Sequence, residues 1–125
     1  MLPIGYRDLL ARTAQVFGGD GRVRGMWLHG AAARDAADAG GDLDIDVAVL
    51  DEHFDAFAAA WADRLAAITP TVSAVPIPGM PGSFYALTPT CERLDVITER
   101  VSHIDVSPLT RRITVFDHDN LAAVR

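Results

Sequence analysis

The chain has 125 residues and a formal net charge of −6, with half its residues apolar and 22% charged. A chain of that mass buries about two thirds of the surface its unfolded form exposes, enough for one core and not two, so a single domain over residues 1–125 is expected. The mix excludes a disordered chain, and no apolar run approaches the length of a bilayer span.

All eleven basic residues are Arg, there is no Lys, and fourteen of the seventeen acids are Asp. An acidic chain without basic clusters is poorly suited to gripping a long nucleic acid. A nucleotide can still be held through metal ions, whose charge inverts the local electrostatics. The opening MLPIGYRDLL lacks a basic stretch followed by an apolar one, so no secretory signal is expected. The single Cys91 has no intrachain partner. Together these predict a protein of the reducing cytoplasm with no membrane association.

Residues 6–17 carry Tyr6, Leu9, Leu10, Val16 and Phe17 at helical spacing, stopped by Gly18 and Gly19. Residues 23–29 predict a buried strand ended by Gly30, and the Ala-rich stretch 31–38 a short helix broken by Gly40 and Gly41. In DLDIDVAVL (42–50), Asp42, Asp44 and Asp46 share one face of a strand, and Leu43, Ile45, Val47 and Val49 the other. Asp51 is placed to cap a helix over 53–68, whose stripe is Phe54, Phe57, Ala58, Trp61, Leu65 and Ile68. Strands follow at 71–76 and 83–88, joined by a Pro/Gly loop read as a hairpin connection, with a flap over a bound molecule as the lesser alternative. Further strands are expected at 92–99 and 112–117, with a turn at DHDN. The order predicts an α/β (α+β) domain: a mixed sheet with helices mainly on one face.

Two carboxylates at i and i+2 on a strand point the same way and can converge on a hard cation. Asp42 and Asp44 form such a pair. Asp95, flanked by Leu94 and Val96 on a later strand, joins them if its strand lies beside 42–50. Three carboxylates around two magnesium ions suit phosphoryl or nucleotidyl transfer. Gly30 allows a phosphate close to the backbone, and the amides opening the next helix can donate to it.

These residues resemble the signature of the DNA polymerase beta-like nucleotidyltransferase superfamily: Gly-Ser or Gly-Gly after a strand, Asp-x-Asp on the next strand, and a third Asp later. Gly30, the Asp42/Asp44 pair and Asp95 match it over roughly residues 23–100, and Arg34 matches an arginine common in the bacterial versions. The resemblance is to the antibiotic and the minimal nucleotidyltransferases. It implies a nucleotidyltransferase-like fold and transfer of a nucleoside monophosphate, AMP from ATP, to a hydroxyl of a small molecule such as an antibiotic, or of a protein. It implies Asp42, Asp44 and Asp95 as catalytic ligands of two Mg2+ ions, and Gly30, Ala31 and Arg34 as the nucleotide-binding residues.

Two departures matter. Ala31 stands where the signature has serine, removing a hydroxyl contact to the donor phosphates that is worth about 1 kcal/mol. Antibiotic-modifying relatives carry a helical acceptor-binding domain after the catalytic one, whereas 30 residues follow Asp95 here. The acceptor half is then expected to lie outside this chain, or to be completed by a second copy or a partner protein.

The competing readings are a catalytically weakened nucleotide-binding or antitoxin-like partner-binding module, and a plain structural or dimerisation domain. A calcium loop at Asp42-x-Asp44-x-Asp46 is excluded, since Val47 and His53 occupy its glycine and glutamate positions. Asp46 reads as a solvent-exposed strand-end residue in preference to a supporting acid, and His29 as a strand-end residue in preference to an acid–base group. Arg34 either binds phosphate or pairs with Asp35 and Asp38. For Phe84 and Tyr85, strand packing is favoured over stacking on a base. No dinucleotide fingerprint, P-loop or zinc-spaced His pair is present.

Overall fold

A computed structural model of the chain describes residues 4–29, 42–106 and 113–121. The short helix expected over 31–38 lies outside them.

Helix α1 spans Ile4–Gly18 and buries Tyr6, Leu9, Thr13 and Phe17. The Thr13 hydroxyl donates to the Leu9 carbonyl at 2.7 Å, so this buried polar group is satisfied within the helix. The Gly19 amide closes the last turn on the Gln15 carbonyl. Strands β1 (Val23–His29) and β2 (Asp42–Val49) then form an antiparallel pair.

The helix expected over 53–68 is two helices, α2 (Phe54–Ala59) and α3 (Trp61–Ile68), preceded by a 3-10 turn at Asp51–His53. The joint is Ala60, with φ −93° and ψ 18°. A helix end exposes unpaired carbonyls. Here the Phe57 carbonyl accepts from the Ala60 amide (3.3 Å) and from Arg64 Nη2 (2.7 Å), whose guanidinium lies 3.4 Å from the centre of the Phe57 ring. The apolar stripe crosses the joint without interruption, so spacing alone did not reveal it. Asp51 also departs from expectation. It caps no helix; its carboxylate accepts instead from the backbone amide (3.1 Å) and hydroxyl of Ser102.

Strands β3 (Ser73–Pro76), β4 (Phe84–Leu87), β5 (Arg93–Arg100) and β6 (Ile113–Asp117) complete a six-stranded sheet in the order β3-β4-β5-β2-β1-β6. The β2–β5 pair is parallel and all others antiparallel, so the sheet is mixed. The Pro/Gly segment is the expected hairpin connection. Gly82, at φ 80°, turns against α2 so closely that a Cβ would sit 3.0 Å from Ala58.

The two faces of the sheet differ. On one, Leu43, Ile45, Val47, Met26, Phe84, Leu94 and Val96 pack with Leu9, Phe17, Phe57, Leu65 and Ile68 of the three helices. Each such side chain contributes about 1.5–3 kcal/mol by leaving water. On the other, a smaller cluster of Trp27, Ala48 and Ile104 is covered by the 3-10 segment Val101–Val106. The alternation read in 42–50 is what sends the Leu/Ile/Val set to the helices and the aspartates to the opposite face. Among the described residues, no helix is long and apolar enough to cross a membrane.

Candidate metal centre

The parallel pairing of β2 with β5 sets Asp42 opposite Arg93 and Asp44 opposite Asp95. Paired residues on adjacent strands project to the same face. Asp42, Asp44 and Asp95 therefore converge, and each offers a carboxylate oxygen within 4.8 Å of those of the other two. Asp95 is the most buried of the three, at 7% exposed. Its Oδ1 is buried and has no hydrogen-bond partner, while Oδ2 lies 3.6 Å from Arg93 Nη2.

The electrostatics follow from this crowding. Burial, then the charge of Asp42, push the Asp95 carboxyl up to about 6; Arg93 opposes the shift and Asp44 adds to it. Asp44 is raised as well, chiefly by burial, against the pull of His29. Three carboxylates this close stay ionised together only when a cation compensates them. Arg93 provides part of that charge, with Nε 3.4 Å from Asp42 and Nη2 3.6 Å from Asp95. Its side chain is 52% exposed, so the compensation is loose.

A hard divalent cation fits this donor set. The ligand atoms are all carboxylate oxygens, as magnesium, manganese and calcium prefer. The unpartnered Oδ1 of Asp95 is the kind of buried oxygen that a metal ligand leaves unsatisfied when the metal is away.

Of the residues singled out in the sequence, the structure thus brings together Asp42, Asp44 and Asp95. Gly30, Ala31 and Arg34 lie outside the described residues. Asp46 corrects an expectation: it is fully buried, not solvent-exposed, in the ladder between Trp27 of β1 and Ile97 of β5. Phe84 is buried and stacks on Trp61 with ring centres 5.4 Å apart, so the packing expected of both aromatics holds for Phe84, whereas Tyr85 is 46% exposed.

Two further side chains border the acids, and one of them, His29, is the strand-end residue that the sequence predicts. Arg93 lies two residues before Asp95, a spacing that puts both on one face of a strand. His29 ends β1 directly opposite Asp44 and is close enough to act on its charge. No protein-family model matches the chain, and no curated protein matches it.

Proposed function

We propose that this chain is a metal-dependent nucleotidyltransferase of the DNA polymerase beta-like type, with a nucleotidyltransferase-like fold, moving AMP from ATP to a hydroxyl of a small molecule or a protein. The observation that carries the reading is the convergence of three carboxylates from two parallel strands, one of them buried with an unpartnered oxygen. The order of elements around the Gly30, Asp42/Asp44 and Asp95 pattern supports it.

In this reading Asp42, Asp44 and Asp95 hold magnesium, and Gly30, the Ala31 amide and Arg34 hold the donor phosphates. A divalent cation bound to the three acids supplies positive charge against the phosphates and lowers the pKa of the attacking hydroxyl. The acceptor oxygen bonds to the α-phosphorus of the donor as the bond from that phosphorus to its β-bridging oxygen breaks. Pyrophosphate leaves with that electron pair, and the hydroxyl proton passes to a carboxylate oxygen of the cluster, for which this reading assigns Asp95.

The test is magnesium-dependent release of pyrophosphate from ATP over a panel of hydroxyl acceptors. Release that is lost in the Asp42→Asn, Asp44→Asn double variant supports the assignment. Release that persists in that variant removes it.

One residue favours a second reading. Ala31 in place of the signature serine fits a domain that binds nucleotide without turning it over, as a sensor or a partner-binding module. A rise in melting temperature with ATP and magnesium, without pyrophosphate release, selects that reading.

A further inference from the structure

One cross-sheet row runs Val75, Tyr85, Asp95, Asp44, His29, each residue paired with the next across five strands. Paired residues share a face, so the ring of Tyr85 lies on the same side of the sheet as the acids, one strand away from Asp95. Its chain neighbours Phe84 and Ala86 point to the helices and are buried. Tyr85 and Val75 remain 46% and 52% exposed, which leaves apolar surface beside the charged centre. They line a cavity of about 280 Å³ with Ser73, Ala86, Leu87 and Arg93. Arg93 is its shared wall with the acids, since the same guanidinium reaches Asp42 and Asp95. A larger cavity, of about 480 Å³, lies between α2 and the 76–82 loop and is lined by none of the three acids.

We propose that the Tyr85 cavity is the acceptor subsite and that it takes an aromatic ring bearing a hydroxyl on a short arm. The inference rests on the nucleotidyltransferase reading and names its substrate class. β1 ends at His29, and the nucleotidyltransferase reading gives the donor phosphates to Gly30, the next residue in the sequence, which assigns them to the β1 flank of β2. The cavity lies on the opposite flank, beyond β5. In-line transfer at phosphorus sets the attacking oxygen opposite the leaving group, which puts the acceptor on the Tyr85 side. Adjacent strands lie about 4.8 Å apart, so a ring resting on Tyr85 reaches the acids with a hydroxyl one or two carbons away. An aromatic ring is favoured by the offset stacking that an exposed Tyr ring offers and by the guanidinium plane at the rim. A polycationic aminosugar is disfavoured by that same guanidinium and by the apolar lining.

The experiment is nuclear magnetic resonance on the whole 15N-labelled chain with 2-phenylethanol, glycerol and glucosamine as probes, repeated with Mn2+. The expected result is that 2-phenylethanol shifts the amides of Val75, Tyr85 and Leu87 while the other two do not. Tyr85→Ala, at an exposed position that leaves the fold intact, weakens this binding at least tenfold, and Tyr85→Phe retains it. With Mn2+ the ring protons of bound 2-phenylethanol relax faster, and Asp95→Asn abolishes the enhancement. Equal response to all three probes, or unchanged binding in Tyr85→Ala, overturns the subsite. Manganese broadening of β2 and β5 amides without aromatic binding keeps the metal centre and overturns the subsite alone. Ring binding at Tyr85 with no manganese effect overturns the metal reading and, with it, the acceptor assignment.

Discussion

Asp95 of β5 stands directly across from Asp44 of β2, on parallel strands whose pairing also sets Asp42 opposite Arg93. Because this register is fixed by the buried Leu43/Leu94 and Ile45/Val96 pairs on the other face, the acids cannot separate without slipping the core of the sheet. The core of the sheet therefore keeps the three carboxylates together, in an arrangement that could hold a cation. Magnesium or manganese is expected to raise the melting temperature, by about 2.7 kcal/mol of stabilisation at a hundredfold excess over Kd. Asp42→Asn with Asp44→Asn abolishes the shift; calorimetric melting with and without metal checks it.

The pH dependence has a definite sign. Asp95 titrates at about 6 when folded against a usual carboxylate value of 3.8. Between those values the folded chain holds a proton that the unfolded chain has released. The stability tied to this group is present in full below about pH 4 and is lost as pH rises through 6, a loss of about 1–3 kcal/mol without metal. Asp44 shifts in the same direction. Asp95→Asn removes the charge and keeps the shape, so its advantage over the parent grows from pH 4 to pH 7. Urea titrations of both chains across that range measure it. Saturating magnesium restores the parent at pH 7 and leaves the variant unchanged.

Arg93 lies against oxygens of Asp42 and Asp95 that a metal at the cluster would also use. A bound dication and a guanidinium a few ångströms apart repel, and the arginine must turn away on loading. Arg93→Gln is expected to tighten magnesium binding by about 1 kcal/mol, roughly fivefold. The same change weakens the metal-free fold slightly, because Asp42 and Asp95 lose their compensating charge. Isothermal titration with magnesium and a urea midpoint without it report the two opposite effects.

On the face that carries the acids, Trp27 is fully buried and its ring lies over Gly25 in the same strand. A Cβ at position 25 would come 2.2 Å from the ring carbon Cη2. Gly25→Ala therefore displaces the indole, costing about 1–3 kcal/mol of overpacking. The expected signature is a lower urea midpoint with a red-shifted tryptophan emission.

What the sequence made legible follows from period and chemistry. The alternation in 42–50 identified a strand, its two faces and the acid pair, because one face had to meet the core. Asp95 was marked by its place between Leu94 and Val96, but its partner strand was a conditional expectation, since pairing across roughly fifty residues leaves no local trace. Asp46 shows the limit of alternation. It is fully buried, paired with Trp27 and Ile97 on the two flanking strands, and no feature of β2 itself announces those neighbours. The joint at Ala60 was invisible for a related reason: the bond that marks it comes from the side chain of Arg64, while the apolar spacing continues through.

Of the two edge strands, β3 is four residues long, wholly exposed, and ends in Pro76. An unpaired border of a sheet is a template on which another molecule's chain can add. Its brevity, and a terminal residue with no N–H to give, leave too few donors for that addition to propagate. The open Tyr85 face can then stay uncovered beside this border without the molecule polymerising through it.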